Sequence, residues 1–480
     1  MAELKNKDGN GTPEILNKPQ SFAEADDLSR REEEARRKTN RFTFTALTLC
    51  AVILLTFFLG FFTRGWVNSD VGRKSNEITD LIDGASYYVD KLTSDEIAEM
   101  FVKKLNAQGD KYAHYYNPAA YKKMLEESAG NYTGVGVQLT ANGEVYRVYN
   151  NSSAYVGGLK KGDILIGGVF KGETDVVLFA DRTEEKKIAD PDATLSATIN
   201  EFFSGFGAGE EINITVRRGD AEFSVILKKE DYVVSYVEYY DNGGALYFAT
   251  DETDGQFRDF YTEDLSMAEL PDDTAYIKLY EFEGGAAGQF AKAMDFMQER
   301  EKEKLILDLR DNGGGSISVL LEIASHLVND KGSNFIKILD VQEKTAKTHF
   351  STSQNAFHEN LKEISVIANY GTASASECLI GALMDYGNPS VYNGAKFSAE
   401  NLVLTEYVAA RNDYTTFGKG IMQTTYELKS GGAFTITTAE IFWPISGTCV
   451  HNVGVTTELS DNKVSDENAI ARAVAVLHSA

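Results

Sequence analysis

Residues Asn369 to Tyr386 read NYGTASASECLIGALMDY. Just before them, Ile364-Ser365-Val366-Ile367-Ala368 is an apolar run of strand length. A turn of small residues follows, Gly371-Thr372-Ala373-Ser374-Ala375-Ser376, and then Leu379, Ile380, Leu383 and Met384 fall at helical spacing on one face. A serine at such a strand-to-helix turn sits beside unpaired backbone N–H groups, at the end of the helix dipole that favours negative charge. That suits a nucleophile whose reaction passes through an oxyanion. Taken alone, the stretch reads more readily as an N-cap serine over a small-residue packing contact. Its partners have to decide.

The same rhythm recurs upstream. Ala275 to Leu279 reads as a strand, Gly288 to Glu299 as an amphipathic helix with Phe290, Met294 and Met297 on its apolar side, and Lys304 to Arg310 as a second strand. That strand breaks into Asp311-Asn312-Gly313-Gly314-Gly315 before a helix expected over Ser316 to Val328. Strands alternating with helices predict a parallel sheet with crossover connections. No Gly-Lys-Ser/Thr follows the glycines, so they are not a phosphate loop. They are either a plain turn or a set of N–H groups aimed at a developing oxyanion.

A serine hydroxyl needs a base to take its proton. His326 falls in an expected helix, His349 and His358 in polar loops and His451 beyond a late turn, and none has a matching acid in a motif. Lysine is the other option, because burial draws its pKa toward neutrality. Thr416-Phe417-Gly418-Lys419-Gly420-Ile421-Met422-Gln423 sets one lysine between glycines and large apolar residues. Gln423, four residues on, is spaced to hydrogen-bond that amine. Ser460-Asp461-Asn462-Lys463 spells Ser-x-x-Lys but sits in a polar tail turn with no glycine loop beside it. Ser376 reads as a capping or packing hydroxyl, and Cys378 as a buried thiol.

Length and charge narrow the classes. At 480 residues the chain has room for two or three domains, and a formal net charge of -25 argues against nucleic acid as a partner. Three cysteines make no disulfide scaffold, and with six scattered histidines and no CxxC or HExxH, neither a metal nor a cofactor is expected. Residues 1–41 are polar and charged, an expected disordered cytoplasmic tail. Residues 42–63, FTFTALTLCAVILLTFFLGFFT, carry no charge over about the length that a bilayer core requires. Arg30, Arg31, Arg36, Arg37, Lys38 and Arg41 precede this run, Trp66 follows it, and no small-residue cleavage site is present. The expectation is a single-pass anchor in the cell membrane, with the N-terminus cytoplasmic and the bulk of the chain outside. Residues 64–130 carry helical periodicity, with Ile78, Leu81 and Ile82 on one helix and Ile97, Met100, Phe101 and Leu105 on another, read as a spacer packed on the core.

Residues 131–230 are β-rich. Gly134-Val135-Gly136-Val137 opens them, and strands are expected at Val145 to Val148, Ile164 to Val169, Ile212 to Val216 and Phe223 to Leu227. With the Leu159-Lys160-Lys161-Gly162-Asp163-Ile164 turn, this region resembles a PDZ domain. The resemblance implies that the Gly134–Val137 loop offers backbone N–H groups to a peptide's terminal carboxylate while the adjoining strand pairs with the peptide. A polar insert near Phe170 to Ala197 departs from that pattern and reads as an added lobe or lid.

With these pieces in order, the chain from about Ser75 to Ala480 resembles the C-terminal processing peptidases, a family of tail-specific serine proteases with a Ser–Lys pair. The marks are Thr372-Ala373-Ser374-Ala375-Ser376-Glu377, Phe417-Gly418-Lys419-Gly420 with Gln423, Asp308 to Gly315, the Tyr112 to Pro118 loop, and Thr437-Thr438-Ala439-Glu440. The resemblance implies that Ser374 attacks the scissile carbonyl, Lys419 is the general base and Gln423 orients it. It also implies an oxyanion hole from the N–H groups of Ala375 and Gly314. The implied fold is a crotonase and Clp-protease-like α/β core over 231–458, with the PDZ domain gating it and a C-terminal helix within 459–480. The implied partners are protein or peptide C-termini. Two departures stand out: Gly313 replaces the family's usual proline, and the segment from Ser374 to Lys419 is long. Its surplus, around Phe397 to Tyr414, reads as a surface excursion or a cover over the cleft. That surplus leaves room for an activating partner, or for a silent scaffold that only binds C-terminal tails.

Overall fold

The computed structural model describes residues 70–86, 91–140, 142–149, 152–188, 193–242, 244–251, 256–260, 270–407 and 414–479. The tail and anchor expected at 1–63 lie outside them. Among the described residues, no helix is long and apolar enough to cross a membrane. The chain divides after Ile97 into two units. In the first, the helix Asp70–Ala85 carries Ile78 and Leu81, which are 57% and 67% exposed, and in the second Met100 and Phe101 are 58% and 53% exposed. Met100 and Phe101, expected to pack on the core, are instead exposed. Their periodicity reports a helix with one apolar side and does not say what covers it.

The second unit is organised by a sheet of eight strands. Their order is Gln256–Phe260, Gly244–Asp251, Val237–Asp241, Thr274–Leu279, Lys304–Asp308, Glu363–Ala368, Leu402–Thr405 and Lys463–Val464. From Thr274–Leu279 onward the strands run parallel, and the three on the other side are antiparallel. Side chains alternate across it as a strand period of two requires. Ala275, Ile277, Leu279, Leu305, Leu307, Ile364 and Val366 face one core, shared with the helices Ala286–Glu299, Ile317–Leu327 and Ala375–Tyr386. Tyr276, Ile306, Ile367 and Val403 face the opposite way, onto Ala469, Ala473, Val476 and Leu477 of the C-terminal helix Ala469–Leu477. Sheet and helices on both faces give the α/β core the sequence led us to expect.

The structure revises the expectation at the long segment after Ser374. Leu402–Thr405 is not a surface excursion. It is a fully buried strand inside the sheet, parallel to Glu363–Ala368. An apolar tetrapeptide this short has no periodicity to distinguish strand from loop. Phe397 is buried as well, Ala399–Asn401 forms a single helical turn, and residues 408–413 lie outside the described residues.

A second, five-stranded sheet flanks the core. Ala433–Phe442 pairs on its two sides with His114–Tyr116, Ile421–Glu427 and Lys337–Glu343, and Lys347–Ser351 closes the sheet. Residues 135–227 build a separate core, with Ile212, Ile214 and Val216 inward along the strand Glu211–Arg218 as alternation predicts. The insert near Phe170 to Ala197 is part of this core and not an added lobe. Its helix Phe179–Lys187 lies on the helix Leu195–Ser204, with Thr183 Oγ1 2.9 Å from Thr198 Oγ1 and fully buried Phe179 in edge contact with Phe202. Its charged residues are the outer side of an amphipathic helix: Lys186 pairs with Glu201, and Arg182 with Glu173.

Candidate active site

The site forms where two parallel neighbours, Lys304–Asp308 and Glu363–Ala368, end side by side. Parallel sheets open their loops at the C-terminal edge, where such loops carry chemistry. Beneath the first loop, buried Asp308 accepts hydrogen bonds from Tyr276 Oη at 2.8 Å and Lys278 Nζ at 3.1 Å, and also pairs with Arg310. Those two cations hold its carboxyl well below the usual range despite complete burial.

The two loops are laced together. Asn369 Oδ1 accepts from Asp311 N and Gly371 N, each at 2.9 Å, and Asn369 Nδ2 donates to Asp311 Oδ1. Thr372 Oγ1 donates to the carbonyl of Leu309, while Ala373 N and Ser376 Oγ both donate to the carbonyl of Asn312. The last bond gives Ser376 the packing role its position suggested. Ser374 then caps the helix Ala375–Tyr386 with φ +57° and ψ -115°, in the region that non-glycine residues rarely adopt. A strained serine at a strand-to-helix turn is held there by its surroundings.

Gly314 lies directly beside it. A Cβ on Gly314 would stand 2.8 Å from both Ala373 O and Ser374 Cβ and 2.9 Å from Ala375 N, and the residue has φ +103°. No side chain fits. Gly314→Ala is therefore expected to strain the loop by about 1–3 kcal/mol. It should also slow serine labelling by a fluorophosphonate reagent about 10²-fold, since displacement of a nucleophile by about 1 Å costs that much. Wild-type labelling and wild-type stability to urea in this variant would refute the close packing.

Of the two expected oxyanion donors, Ala375 N opens the helix and carries no hydrogen bond among the described contacts. The other differs from expectation. Gly314 N donates to Asn312 Oδ1 at 2.9 Å, so this amide is engaged within its own loop. The asparagine two residues earlier is a typical local competitor for a turn amide.

The backbones of Lys419 and Ser374 are tied together by a residue the sequence reading did not single out, while no bond between Ser374 Oγ and Lys419 Nζ occurs among the described contacts. Glu377, one turn into the helix and fully buried, accepts from Ser374 N at 2.9 Å and Lys419 N at 2.8 Å on the same oxygen, Oε2. Its Oε1 accepts from Thr416 Oγ1 at 2.6 Å and Gly418 N at 2.8 Å. Phe417 N adds a bond to the carbonyl of Thr372. Burial raises the Glu377 pKa, and its four donors pull it back. Lys419 itself is half-buried, and burial pushes its amine below the ordinary 10.5 while the Glu377 charge opposes the shift. Its Nζ stands 4.5 Å from the ring centre of Tyr112.

Gln423 behaves differently from expectation. Its Nε2 donates to Thr437 Oγ1 at 3.2 Å, and no bond to Lys419 occurs among the described contacts. Its carbonyl oxygen is the group left to meet an amine. The histidines stand elsewhere: His326 stacks on His358, with burial lowering it to about 4, and His451 packs against Gly420. Cys378 is buried, which raises its thiol to about 12. Among the described residues no cluster of metal-ligating side chains occurs.

In the β-rich domain, Gly136 has φ +83° and backs onto Ser152, whose Cβ would lie only 1.9 Å from a Cβ at position 136. Gly136 O accepts from Tyr149 N and Val135 O from Ala154 N, whereas the amides of Val135 and Gly136 carry no bond among the described contacts. Gly134 ends the strand Asn131–Gly134, and Val137 begins Val137–Leu139. This domain touches the glycine loop directly, through Tyr146 Oη donating to the carbonyl of Asp311 and Lys161 paired with the Asp311 carboxylate.

Residues 273–402, which hold the glycine loop, Ser374 and Glu377, match the family described as Peptidase family S41. The match covers this stretch of the chain and no more of it. The S41 match ends before Lys419 and Gln423. Similar proteins include a "Probable CtpA-like serine protease" of Staphylococcus aureus, 26% identical over 77% of this chain and 61% of that protein. One of the same description from Staphylococcus saprophyticus is 23% identical over 88% of this chain and 71% of that protein. The chain thus spans about three-fifths of the S. aureus relative. Among solved structures, the photosystem II D1 C-terminal processing protease is 17% identical, with a TM-score of 0.45, over 84% of this chain and 90% of that one.

Proposed function

We propose that this chain is a membrane-anchored S41 serine endopeptidase that cleaves protein substrates near their C-termini, with Ser374 as nucleophile and Lys419 as base. The observation that carries the reading is the Glu377 carboxylate, one oxygen of which binds the backbone N–H of both residues. In this reading Lys419, neutral, takes the Ser374 proton as the oxygen attacks the scissile carbonyl, and returns it to the leaving amine. Ala375 N receives the oxyanion, joined by Gly314 N once that amide leaves Asn312 Oδ1. Water then hydrolyses the acyl-enzyme. Gln423 offers its carbonyl oxygen to the amine.

The domain at 131–230 acts as a PDZ module. The Val135 and Gly136 amides receive a C-terminal carboxylate, and the substrate adds beside Val137–Leu139, whose one strand partner among the described residues is Val145–Val148. The charge-free run at 42–63, with its basic approach, supports an anchor that leaves the S41 domain outside the cytoplasm. A second reading, a latent form awaiting a partner, is favoured by one observation: Gly314 N is engaged by Asn312. Occupation of the β-rich domain is coupled to that loop in space, through Tyr146 and Lys161.

An unstructured protein offered to the full chain with a free or an amidated C-terminus tests this. The free form is expected to be cut at least about fivefold faster, since the carboxylate supplies charge-assisted bonds to the loop. Ser374→Ala should be inert. Equal rates would remove the PDZ role, and an inert wild type would favour the latent form.

A further inference from the structure

Tyr112 belongs to no step of the chemistry above, yet its ring stands on the proposed base, with its centre 4.5 Å from Lys419 Nζ. It comes from far away in sequence, on the turn before His114–Tyr116, and it is half-buried. The turn is fastened. Asp110 Oδ1 accepts from Tyr112 N at 3.3 Å and from Thr437 Oγ1 at 2.8 Å, and Oδ2 accepts from Thr437 N at 2.9 Å. Thr437 Oγ1 in turn accepts from Gln423 Nε2. One carboxylate therefore fixes the backbone beneath the Tyr112 ring and, through Thr437, the amide of Gln423.

We propose that Tyr112 is a positioning residue of the Ser374–Lys419 pair, whose ring covers the lysine amine and keeps water from it. The inference rests on the reading of Lys419 as the base. Two effects of a ring over an amine oppose each other. Its π-face attracts the ammonium, while the water it excludes had stabilised the ammonium more than the neutral amine. Lys419 Nζ is in no ion pair among the described residues; the Tyr112 ring stands over it, and the charged group that bears on it is the buried Glu377 carboxylate, which binds the Lys419 backbone N–H and favours the ammonium. Without a counter-ion at contact, exclusion of water outweighs the quadrupole. The phenol hydroxyl is not required for this, so phenylalanine should serve as well.

The test is the pH dependence of Ser374 labelling by a fluorophosphonate in the full chain. There the serine oxygen bonds to phosphorus, fluoride leaves and Lys419 takes the hydroxyl proton. In wild type and Tyr112→Phe the ascending limb should coincide. In Tyr112→Ala it should move up by about one pH unit as water reaches the amine, and in Tyr112→Leu by less in the same direction. Labelling at high pH, where the amine is neutral in every variant, should converge. A limb that stays in place or moves down in the alanine variant overturns the proposal. Should that variant not fold, the leucine variant decides by the same rule. A Phe variant shifted as far as Ala overturns it too, since the hydroxyl would then be the active part. If Lys419→Ala is labelled like wild type, the Ser–Lys reading itself has failed and this inference with it, an outcome separate from an unmoved limb in Tyr112→Ala.

Discussion

Lys419→Ala is expected to slow hydrolysis of an unstructured protein by roughly 10³-fold or more, in a chain that remains folded. General bases contribute about 10²–10⁴-fold, and a serine hydroxyl at its own pKa is a poor nucleophile. The side chain is half-buried and its backbone N–H, which carries the bond to Glu377, survives truncation. Structure and chemistry should therefore separate. The pH dependence follows from the shift in Lys419. The amine accepts a proton only when neutral, so the rate rises with pH as the ammonium titrates and levels off above. Burial lowers that pKa from 10.5, so the ascending limb falls below the range of an exposed lysine. Lys419→Arg keeps the charge and cannot lose it, and it should be as inert as alanine. A limb near the histidine range that persists in Lys419→Ala would turn attention to His451, which packs against Gly420. Pre-steady-state rates from pH 5 to 10 on the three proteins settle which group titrates.

The parts of this molecule that follow a local rule were readable from the chain. Ile306 and Leu307 alternate across the sheet because a buried parallel strand needs apolar groups on both faces, and the run Lys304 to Leu309 supplies them. Ser374 stood out because small residues and a strand-to-helix change coincide at one turn. What the chain hid were contacts between residues distant in sequence. Glu377 carries the spacing of a capping box, three residues after Ser374, and that signal was present. Its bonds to Thr416, Gly418 and Lys419 were not, because nothing local says that a loop some forty positions later ends above this helix. Tyr112 and Asp110 were hidden for the same reason. The charged insert was misread because charge reports only the outer side of Phe179–Lys187, and the buried Phe179 that anchors it stands at the helix's first position.

Glu377→Ala is expected to cost the most stability of any change at the site, roughly 4 kcal/mol or more, because buried groups left without a partner cost about 1–3 kcal/mol each. The substitution strands the N–H groups of Ser374, Gly418 and Lys419 and the hydroxyl of Thr416 at once. Thr416 still accepts from Val455 N at 2.6 Å, so its strand contact survives and the damage centres on the pair of loops. Glu377→Gln separates the two halves of the role. It keeps the volume and one carbonyl acceptor, but whichever way the amide turns, its NH₂ meets donors on one side. With NH₂ toward Ser374 and Lys419, the fold retains the Thr416 and Gly418 bonds while the nucleophile and base are pushed apart. The glutamine variant should thus lose about half the stability that alanine loses, yet nearly all activity, because a misplacement of about 1 Å is worth about 10²-fold. Urea unfolding measures the first quantity and fluorophosphonate labelling the second. A glutamine variant with wild-type labelling would mean that Ser374 and Lys419 are held by something other than this carboxylate, and the proposed site would lose the contact that assembles it.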